Sequence, residues 1–245
     1  MAGLAFHCSA KAFLEKESAY IETRRKEGRI PENAALAKLP RVPRGHPHRR
    51  EWRIRQKNLA RLLAYLRDRG APLRILDLGC GNGWMSHHLA RLPNSQVVGM
   101  DLNQTELTQA VEVFGHIANL EFVYGDIFGQ LPQDRYDCIL LAASFQYFPD
   151  PERLLARLSE FLDDSGEVHI TETMFYAPEE LAAARERTSA YYQSVGQPEM
   201  VRYYHHHQLP AMLELGADIL YDPRIERSRW KRPHSPFFWL RFRPQ

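Results

Sequence analysis

The sequence has little cysteine and no long apolar stretch. Its three cysteines, Cys8, Cys80 and Cys138, form no Cys-x-x-Cys pair, so neither a disulfide framework nor a zinc or thiol redox motif is indicated. No apolar run reaches the roughly 18 residues needed to span a bilayer. The N-terminal residues also lack a basic region followed by a long apolar one. We therefore expect a cytoplasmic protein in which Cys80 and Cys138 are buried free thiols.

Net charge is also small, but the charges are unevenly placed. The chain has a formal net charge of +2. Residues 1–74 contain 18 Lys and Arg against 7 Asp and Glu, whereas the remainder contains 14 against 23. This asymmetry indicates that the N-terminal part faces an anionic partner or packs on the acidic remainder. The simpler alternative is that these basic side chains form a solvent-exposed face of a helix and have no partner.

The order of apolar patterns predicts the fold class. Helical patterns occupy residues 9–27 and 51–69, with a proline-rich arm at 39–48 between them. Strands are predicted at 74–79, 96–101, 120–126, 136–143, 166–173, 217–222 and 235–242, with helices between most of them. This alternation predicts an α/β fold, with a mostly parallel seven-stranded sheet, helices on both faces and an antiparallel edge strand.

The same patterns divide the chain into two parts. We expect a helical, basic N-terminal extension over residues 1–70 and a ligand-binding domain over 71–245. Within that domain, residues 176–204 form a helical insertion that follows the fifth strand and is expected to act as a lid.

A glycine-rich turn follows the first predicted strand and carries the strongest functional signal. It reads Asp77-Leu78-Gly79-Cys80-Gly81-Asn82-Gly83. Glycines let the backbone turn tightly and approach a ligand, and the following helix presents free N–H groups to it. Ligands of open α/β sheets bind at this carboxyl end of the strands. The dinucleotide fingerprint GxGxxG would need its third glycine at Trp84, so a nicotinamide-dependent oxidoreductase is disfavoured.

The spacing GxGxG, with an acid two residues before the first glycine, resembles motif I of class I S-adenosylmethionine (SAM)-dependent methyltransferases. The resemblance implies a Rossmann-like methyltransferase fold, SAM as cofactor and S-adenosylhomocysteine (SAH) as product. In that family the loop wraps the methionine part of SAM. The resemblance therefore implies that Asp77 faces the amino group of SAM, and that the loop residues Gly79, Cys80, Gly81, Asn82 and Gly83 bind the cofactor.

Two further acids stand where the resemblance implies ligands of SAM. Asp101 ends the second strand and would accept hydrogen bonds from both ribose hydroxyls, with Leu102 beside the adenine. Asp126 follows the third strand and would accept from the adenine amino group, with Ile127 packed on the ring. After the fourth strand, Ala142 is expected to pass close to the sulfonium. Acids often end strands and cap turns, but three at matching places on one sheet favour the ligand interpretation.

Histidine provides the candidate bases for the methyl acceptor. A neutral imidazole can take a proton near neutral pH. His205 and His206 follow the insertion, and His169 lies on the fifth strand. A strand histidine is more often a satisfied core residue, and adjacent histidines point in different directions. We therefore expect no metal site, and at most one or two of these side chains at a pocket.

These patterns predict SAM-dependent methyl transfer to an oxygen, nitrogen or carbon of a small molecule. Two alternatives remain open. An RNA methyltransferase is suggested by the basic residues in 44–55, although no RNA-binding module is recognisable; a non-catalytic SAM-binding partner protein is the other. Nucleic acid and membrane are disfavoured as partners, and the oligomeric state is left open. Residues 1–50 are expected to serve the acceptor rather than SAM.

Overall fold

A computed structural model of the 245-residue chain describes residues 4–6, 14–70, 72–131, 134–226 and 234–243. The strands in these ranges are β1 (Ala5–Phe6), β2 (Leu73–Leu78), β3 (Ser95–Asp101), β4 (Leu120–Tyr124), β5 (Tyr136–Ala142), β6 (Leu162–Thr171), β7 (Phe175–Tyr176), β8 (His207–Gln208), β9 (Asp218–Tyr221) and β10 (Trp239–Phe242). The α-helices are α1 (Leu14–Lys26), α2 (Asn33–Leu36), α3 (Arg49–Asp68), α4 (Trp84–Leu89), α5 (Gln104–Phe114), α6 (Pro151–Ser159), α7 (Leu181–Ser194), α8 (Leu209–Glu214) and α9 (Pro223–Glu226).

One sheet organises the molecule, with the strand order β1-β4-β3-β2-β5-β6-β10-β9. Strands β1, β4, β3, β2, β5 and β6 run parallel to their neighbours, whereas β10 is antiparallel to both β6 and β9. This confirms the predicted seven-stranded, mostly parallel sheet with its antiparallel strand at one side. The two-residue strand β1 extends the opposite edge and was not predicted.

Helices cover both faces of this sheet. On one face, Leu62 of α3, Leu89 of α4 and Leu107 of α5 pack in one cluster with Ile75 of β2. On the other face, the neighbouring residue Leu76 belongs to a second cluster that contains residues of α6 and α8. Successive residues of a strand point to opposite faces, so a continuous apolar run such as β2 supplies both clusters at once.

Helix α3 belongs to the core although it lies in the predicted extension. Its residues Leu59, Leu62 and Leu66 are at most 5% exposed and lie in the same cluster as β2. They recur every three or four positions, which places them on one face of the helix. The N-terminal extension is therefore joined to the sheet by a shared apolar surface.

The insertion at residues 176–204 contains α7 and a 3-10 turn at Pro198–Tyr203. It lies between β7 and β8, which pair in parallel as a separate two-stranded sheet. Tyr192 and Met200 of the insertion pack with Ala19 of α1 in a small buried cluster. The insertion and the N-terminal helix therefore contact one another above the carboxyl ends of the strands.

Most element boundaries differ from the sequence expectation by a few residues. Strand β6 begins at Leu162 rather than at 166, because Leu162 pairs with Tyr136 across a register shift. Cys80 and Cys138 are buried free thiols, and burial raises the pKa of each; Cys8 and residues 9–13 of the first predicted helix lie outside the described residues. Among the helices described, none is both long and apolar enough to cross a membrane.

Candidate functional site

The glycine loop after β2 depends on its lack of side chains. Gly79, Gly81 and Gly83 have φ values of 77°, 54° and 74°, in the left-handed region that favours glycine. A Cβ on Gly79 would lie only 2.4 Å from the Cβ of Ser144. A Cβ on Gly81 would lie 3.1 Å from Oε2 of Glu106. The loop therefore packs closely on the segment after β5 and on α5. The glycines of the motif are needed both for the tight turn and because there is no room for side chains.

Asp77 lies beneath this loop. It is 1% exposed, and the hydroxyl of Ser86 on α4 donates a 2.6 Å hydrogen bond to its Oδ2. Burial raises the pKa of Asp77 to about 7, and the nearby charges of Asp101 and Glu172 act in the same direction. The carboxyl ties the end of β2 to the start of α4 and does not line the central cavity described below.

Asp101 and Asp126 end adjacent strands of the sheet. Oδ2 of Asp101 accepts a 2.7 Å hydrogen bond from the N–H of Gly81, and Oδ1 accepts one of 2.8 Å from the N–H of Asn103. Burial raises the pKa of Asp101, and these backbone donors oppose that rise. Oδ1 of Asp126 accepts a 3.0 Å hydrogen bond from the N–H of Phe128. Backbone donors thus fix both carboxylates at the same edge of the sheet.

These elements surround a central cavity with about 770 Å³ of empty space, including its open mouth. The core domain lines it with Leu78, Gly79, Asp101, Leu102, Asn103, Gly125, Asp126, Ile127, Ala143, Ser144, Tyr147 and Phe148. The N-terminal helix contributes Lys16, Glu17 and Tyr20, and the insertion contributes Met200. The cavity therefore has carboxylates on one side and aromatic and aliphatic side chains on the other.

Helix α1 covers the cavity through specific contacts. Oε1 of Glu17 accepts a 2.8 Å hydrogen bond from the N–H of Gln104 at the start of α5. Burial lowers the pKa of Lys16, while the charges of Asp101 and Asp126 raise it. Helix α1 thus lines the same cavity as the two acids assigned to the cofactor. The expectation that residues 1–50 serve the acceptor rather than SAM stays a prediction.

A buried charge pair lies between α1 and the glycine loop. Burial raises the pKa of Glu106 to about 7, whereas the nearby positive charge of Arg24 and a hydrogen bond from Tyr20 lower it. The pKa of Arg24 is raised by the negative charges near it, against the effect of its burial. Since the carboxylate of Glu106 lies against Gly81, α1 and the loop are electrostatically linked.

The structure brings several of the sequence-predicted cofactor residues together and leaves others aside. Gly79, Asp101, Leu102, Asp126 and Ile127 line the central cavity, whereas Asp77, Cys80, Gly81, Asn82, Gly83 and Ala142 do not. The next residues, Ala143 and Ser144, line the cavity just beyond the end of β5. Ala143 has a φ of 58°, so the chain turns sharply where β5 ends.

His169 lies in the core, away from the central cavity. It is 0% exposed, and the indole N–H of Trp239 donates a 3.1 Å hydrogen bond to its Nδ1. Its Nε2 lies 3.2 Å from Oε2 of Glu167, which also accepts a 2.7 Å hydrogen bond from the Tyr65 hydroxyl. These partners make His169 part of a buried polar network between β6, β10 and α3.

His205 and His206 have different surroundings. The His206 ring is held by the insertion, since its Nε2 lies 2.8 Å from Oγ1 of Thr188 and the ring also hydrogen bonds the Ala184 carbonyl. The backbone N–H of His205 donates to the Gln146 carbonyl at 2.8 Å, which ties the residue to the segment after β5. Burial lowers the pKa of His205, and the nearby charge of Lys16 lowers it further.

Several cavity residues were not predicted from the sequence. Tyr147 and Phe148 follow β5 in a 3-10 turn, and Tyr20 of α1 meets Tyr147 edge-on, with ring centroids 5.7 Å apart. Met200 comes from the insertion and is 1% exposed. The aromatic residues Phe145, Tyr147 and Phe148 after β5 were the available signal. No group of three metal-ligating side chains is assembled in the part of the chain that the structure describes.

Comparison with known proteins agrees with this geometry. The model of the methyltransferase domain family matches residues 70–230. The chain is 33% identical over 115 residues to malonyl-[acyl-carrier protein] O-methyltransferase 1 of Ilyobacter polytropus, over 46% of this chain and 43% of that protein. It is 38% identical over 94 residues to trans-aconitate 2-methyltransferase of Deinococcus radiodurans, over 38% and 35%. The chain thus spans less than half the length of these curated relatives.

Solved structures show the same fold. Magnesium protoporphyrin IX methyltransferase from Synechocystis PCC 6803, solved with bound SAH, aligns with a TM-score of 0.59 and 15% identity over 95% of this chain and 98% of that one. The plantazolicin methyltransferase BpumL, solved with SAH and a triazolic desmethylPZN analog, aligns with a TM-score of 0.56 and 17% identity over 96% of this chain and 100% of that one. The chain therefore belongs to the methyltransferase domain family and has the fold of class I SAM-dependent methyltransferases.

Proposed function

We propose that the chain transfers the methyl group of SAM to a small-molecule acceptor. The observation that carries this proposal is the convergence of Gly79, Asp101 and Asp126 on one cavity at the carboxyl ends of β2, β3 and β4. In open α/β sheets, ligands bind at this end of the strands. The named relatives, which act on malonyl-[acyl-carrier protein] and trans-aconitate, support an acceptor that is a metabolite or a carrier-bound acid.

The residues around the cavity fit SAM. Gly79 lines the cavity, and Ser144 packs so closely on it that only a residue without a side chain fits there, so the loop contributes backbone to the cavity wall. Asp101 and Asp126 both line the cavity, where their carboxylates would accept hydrogen bonds from two ribose hydroxyls and from the adenine amino group. Leu102 and Ile127 line the cavity beside these acids and offer apolar surface to the adenine ring. SAM, when bound, supplies a methyl group that its sulfonium has already activated.

With an activated donor, the main tasks of the protein are to align the reactants and exclude water. Helix α1 and the insertion at 176–204 both contribute side chains to the cavity, and they pack on each other through Ala19, Tyr192 and Met200. Together they form a cover over the carboxyl ends of the strands. This arrangement supports a lid that closes over the acceptor after it binds.

His205 is the candidate base for an acceptor that must lose a proton. Its pKa is lowered, so the ring is neutral at pH 7 and can accept a proton. The backbone N–H of His205 donates to the Gln146 carbonyl, next to Tyr147, which lines the central cavity. His206 is held within the insertion and His169 within the core, and these contacts favour a structural role for both side chains.

Methyl-labelled SAM tests the proposal and separates it from the two alternatives. The protein is incubated with the label and, in parallel, with metabolite, RNA and protein fractions of a cell extract. We expect label in the metabolite fraction, and loss of that label with Asp101→Ala. Label in RNA would identify an RNA methyltransferase instead, whereas SAH binding without transfer to any fraction would indicate a non-catalytic SAM-binding protein.

A further inference from the structure

A second cavity lies between the N-terminal extension and the glycine loop. It contains about 1080 Å³ of empty space, including its opening, and is formed by the end of α1, residues 28–48 and the start of α3. Asn82 of the loop and Trp84 of α4 complete its wall. Trp52 meets Trp84 edge-on, with ring centroids 5.4 Å apart, so one side of the cavity is aromatic.

Positive charge dominates this second cavity. Five Lys and Arg side chains line it against two carboxylates, those of Glu32 and Glu51. Oε1 of Glu51 accepts hydrogen bonds of 2.6 Å from Arg29 and 3.0 Å from Arg55, and these cations lower the pKa of Glu51 to about 2. One of the two carboxylates is therefore already neutralised by two of the five cations.

Of the remaining cations, Lys38 and Arg41 are exposed, whereas the guanidinium of Arg24 is buried near Glu106. Lys38 and Arg41 line the cavity, and no acidic side chain of the described residues forms an ion pair with either of them. Nε of Arg24 is buried and has no hydrogen-bond partner among the described residues, although Nη1 lies 3.9 Å from Glu27. Buried donors usually find a partner, so a cation-lined cavity with an unused donor indicates an anionic ligand.

The second cavity borders the central one. Arg24 lines the second cavity, and its guanidinium lies 5.9 Å from the ring centroid of Tyr20, which lines the central cavity. Nη1 of Arg55 also pairs at 2.6 Å with Glu172, the residue that follows β6. Glu172 has a φ of 58°, so the chain is strained where it presents this carboxylate. Arg55 therefore links the second cavity to the carboxyl end of β6, the strand next to β5.

We propose that the second cavity binds an anionic small molecule through carboxylate or phosphate oxygens. The aromatic wall formed by Trp52 and Trp84 accommodates its apolar part, and the cations around Arg41 hold its anionic group. Binding of this anion does not depend on the proposed methyl transfer and is tested without turnover.

The test uses citrate and inorganic phosphate as probes, titrated separately into the full-length protein at constant ionic strength by calorimetry. The test variant is Lys38→Gln with Arg41→Gln, which removes two cations and keeps a polar side chain at each position. The control is Arg67→Gln with Arg185→Gln, which removes two charges from exposed positions outside the cavity. SAH is titrated into all three proteins to monitor the central cavity.

We expect the test variant to weaken binding of the preferred probe by about tenfold or more, since each lost contact is charge-assisted. The control should change it by less than about twofold. Preference for citrate identifies a carboxylate ligand, and preference for phosphate a phosphorylated one. Equal weakening in both variants, or no binding of either probe to the unmodified protein, overturns the proposal. Failure of the unmodified protein to bind SAH would instead overturn the proposed function.

Discussion

The backbone N–H of Gly81 donates a 2.7 Å hydrogen bond to Oδ2 of Asp101. This bond joins the glycine loop after β2 to the carboxylate that ends β3. One oxygen of Asp101 thus holds the loop, while the carboxylate still lines the central cavity. The two most conspicuous features of the sequence, the GxGxG turn and the acid after the second strand, are therefore parts of one structural unit.

Gly79→Ala should destabilise the protein more than Gly70→Ala. Both glycines have positive φ, 77° and 86°, so both substitutions strain the backbone, by about 1–2 kcal/mol. Only the Cβ added at position 79 would collide with a neighbour, at 2.4 Å from Ser144, whereas nothing lies within 4 Å of one added at position 70. Overpacking adds about 1–3 kcal/mol. Urea denaturation measures both losses, and equal losses would show that the close contact is easily relieved.

The sheet and its acids could be predicted because each signal is local. The GxGxG turn and the acids at positions 77, 101 and 126 all lie at or just beyond the carboxyl ends of buried strands, and parallel strands bring these ends to one edge. Ala142 stays a prediction, since the residues that line the cavity there are Ala143, where the chain turns, and Ser144. The periodicity of apolar residues does not predict the residue at which a strand ends and a turn begins.

The remaining site residues depend on tertiary packing. Lys16, Tyr20 and Met200 reach the central cavity only because α1 and the insertion fold over the sheet and meet there. No pattern in the sequence predicts that α1 and the insertion pack against each other there. His169, by contrast, offered a signal: Glu167 lies two positions earlier, on the same face of a strand, and is its hydrogen-bond partner.

Asp77→Asn should change the pH dependence of stability. Burial raises the pKa of Asp77 from 3.8 to about 7, so the folded protein holds a proton that the unfolded chain has lost. This carboxyl therefore makes the free energy of unfolding fall as pH rises from 3.8 to about 7. The amide that the substitution introduces does not titrate, so it removes that contribution, and its oxygen still accepts the Ser86 hydrogen bond.

The stability of Asp77→Asn relative to the unmodified protein should accordingly increase between pH 4 and 7, by at least about 1 kcal/mol. Urea unfolding at several pH values measures the free energy of unfolding of both proteins. Subtracting one from the other cancels the contributions of the other titrating groups. Asp164→Asn, at an exposed position, is the control and should give parallel curves. Parallel curves for Asp77→Asn as well would mean that Asp77 is ionised in the folded protein.

His205→Ala should slow methyl transfer by about 10²–10⁴ if the acceptor must lose a proton. Affinity for SAH should stay nearly unchanged, because His205 does not line the central cavity itself. Since the pKa of His205 is lowered from 6.5, the rate of the unmodified protein should fall only below that pH. The variant should lack this acidic limb in its rate profile.

His206→Ala and His116→Ala are the matched controls for that experiment. His206 is held by Thr188 within the insertion, and His116 is exposed. Both should retain the acidic limb. If His205→Ala keeps both the rate and the limb, alignment of the acceptor alone drives the reaction and His205 has a structural role.

Calorimetric titration of SAH into the unmodified protein and into Asp101→Asn tests the central claim most directly. Each charge-assisted hydrogen bond to a ribose hydroxyl contributes about 1.5–3 kcal/mol, so the variant should bind SAH about tenfold to a hundredfold more weakly. Asp164→Asn should bind as the unmodified protein does, and NAD should not bind to any of the three. Unchanged SAH affinity in Asp101→Asn, or tight binding of NAD by the unmodified protein, would contradict the assignment of the central cavity to SAM.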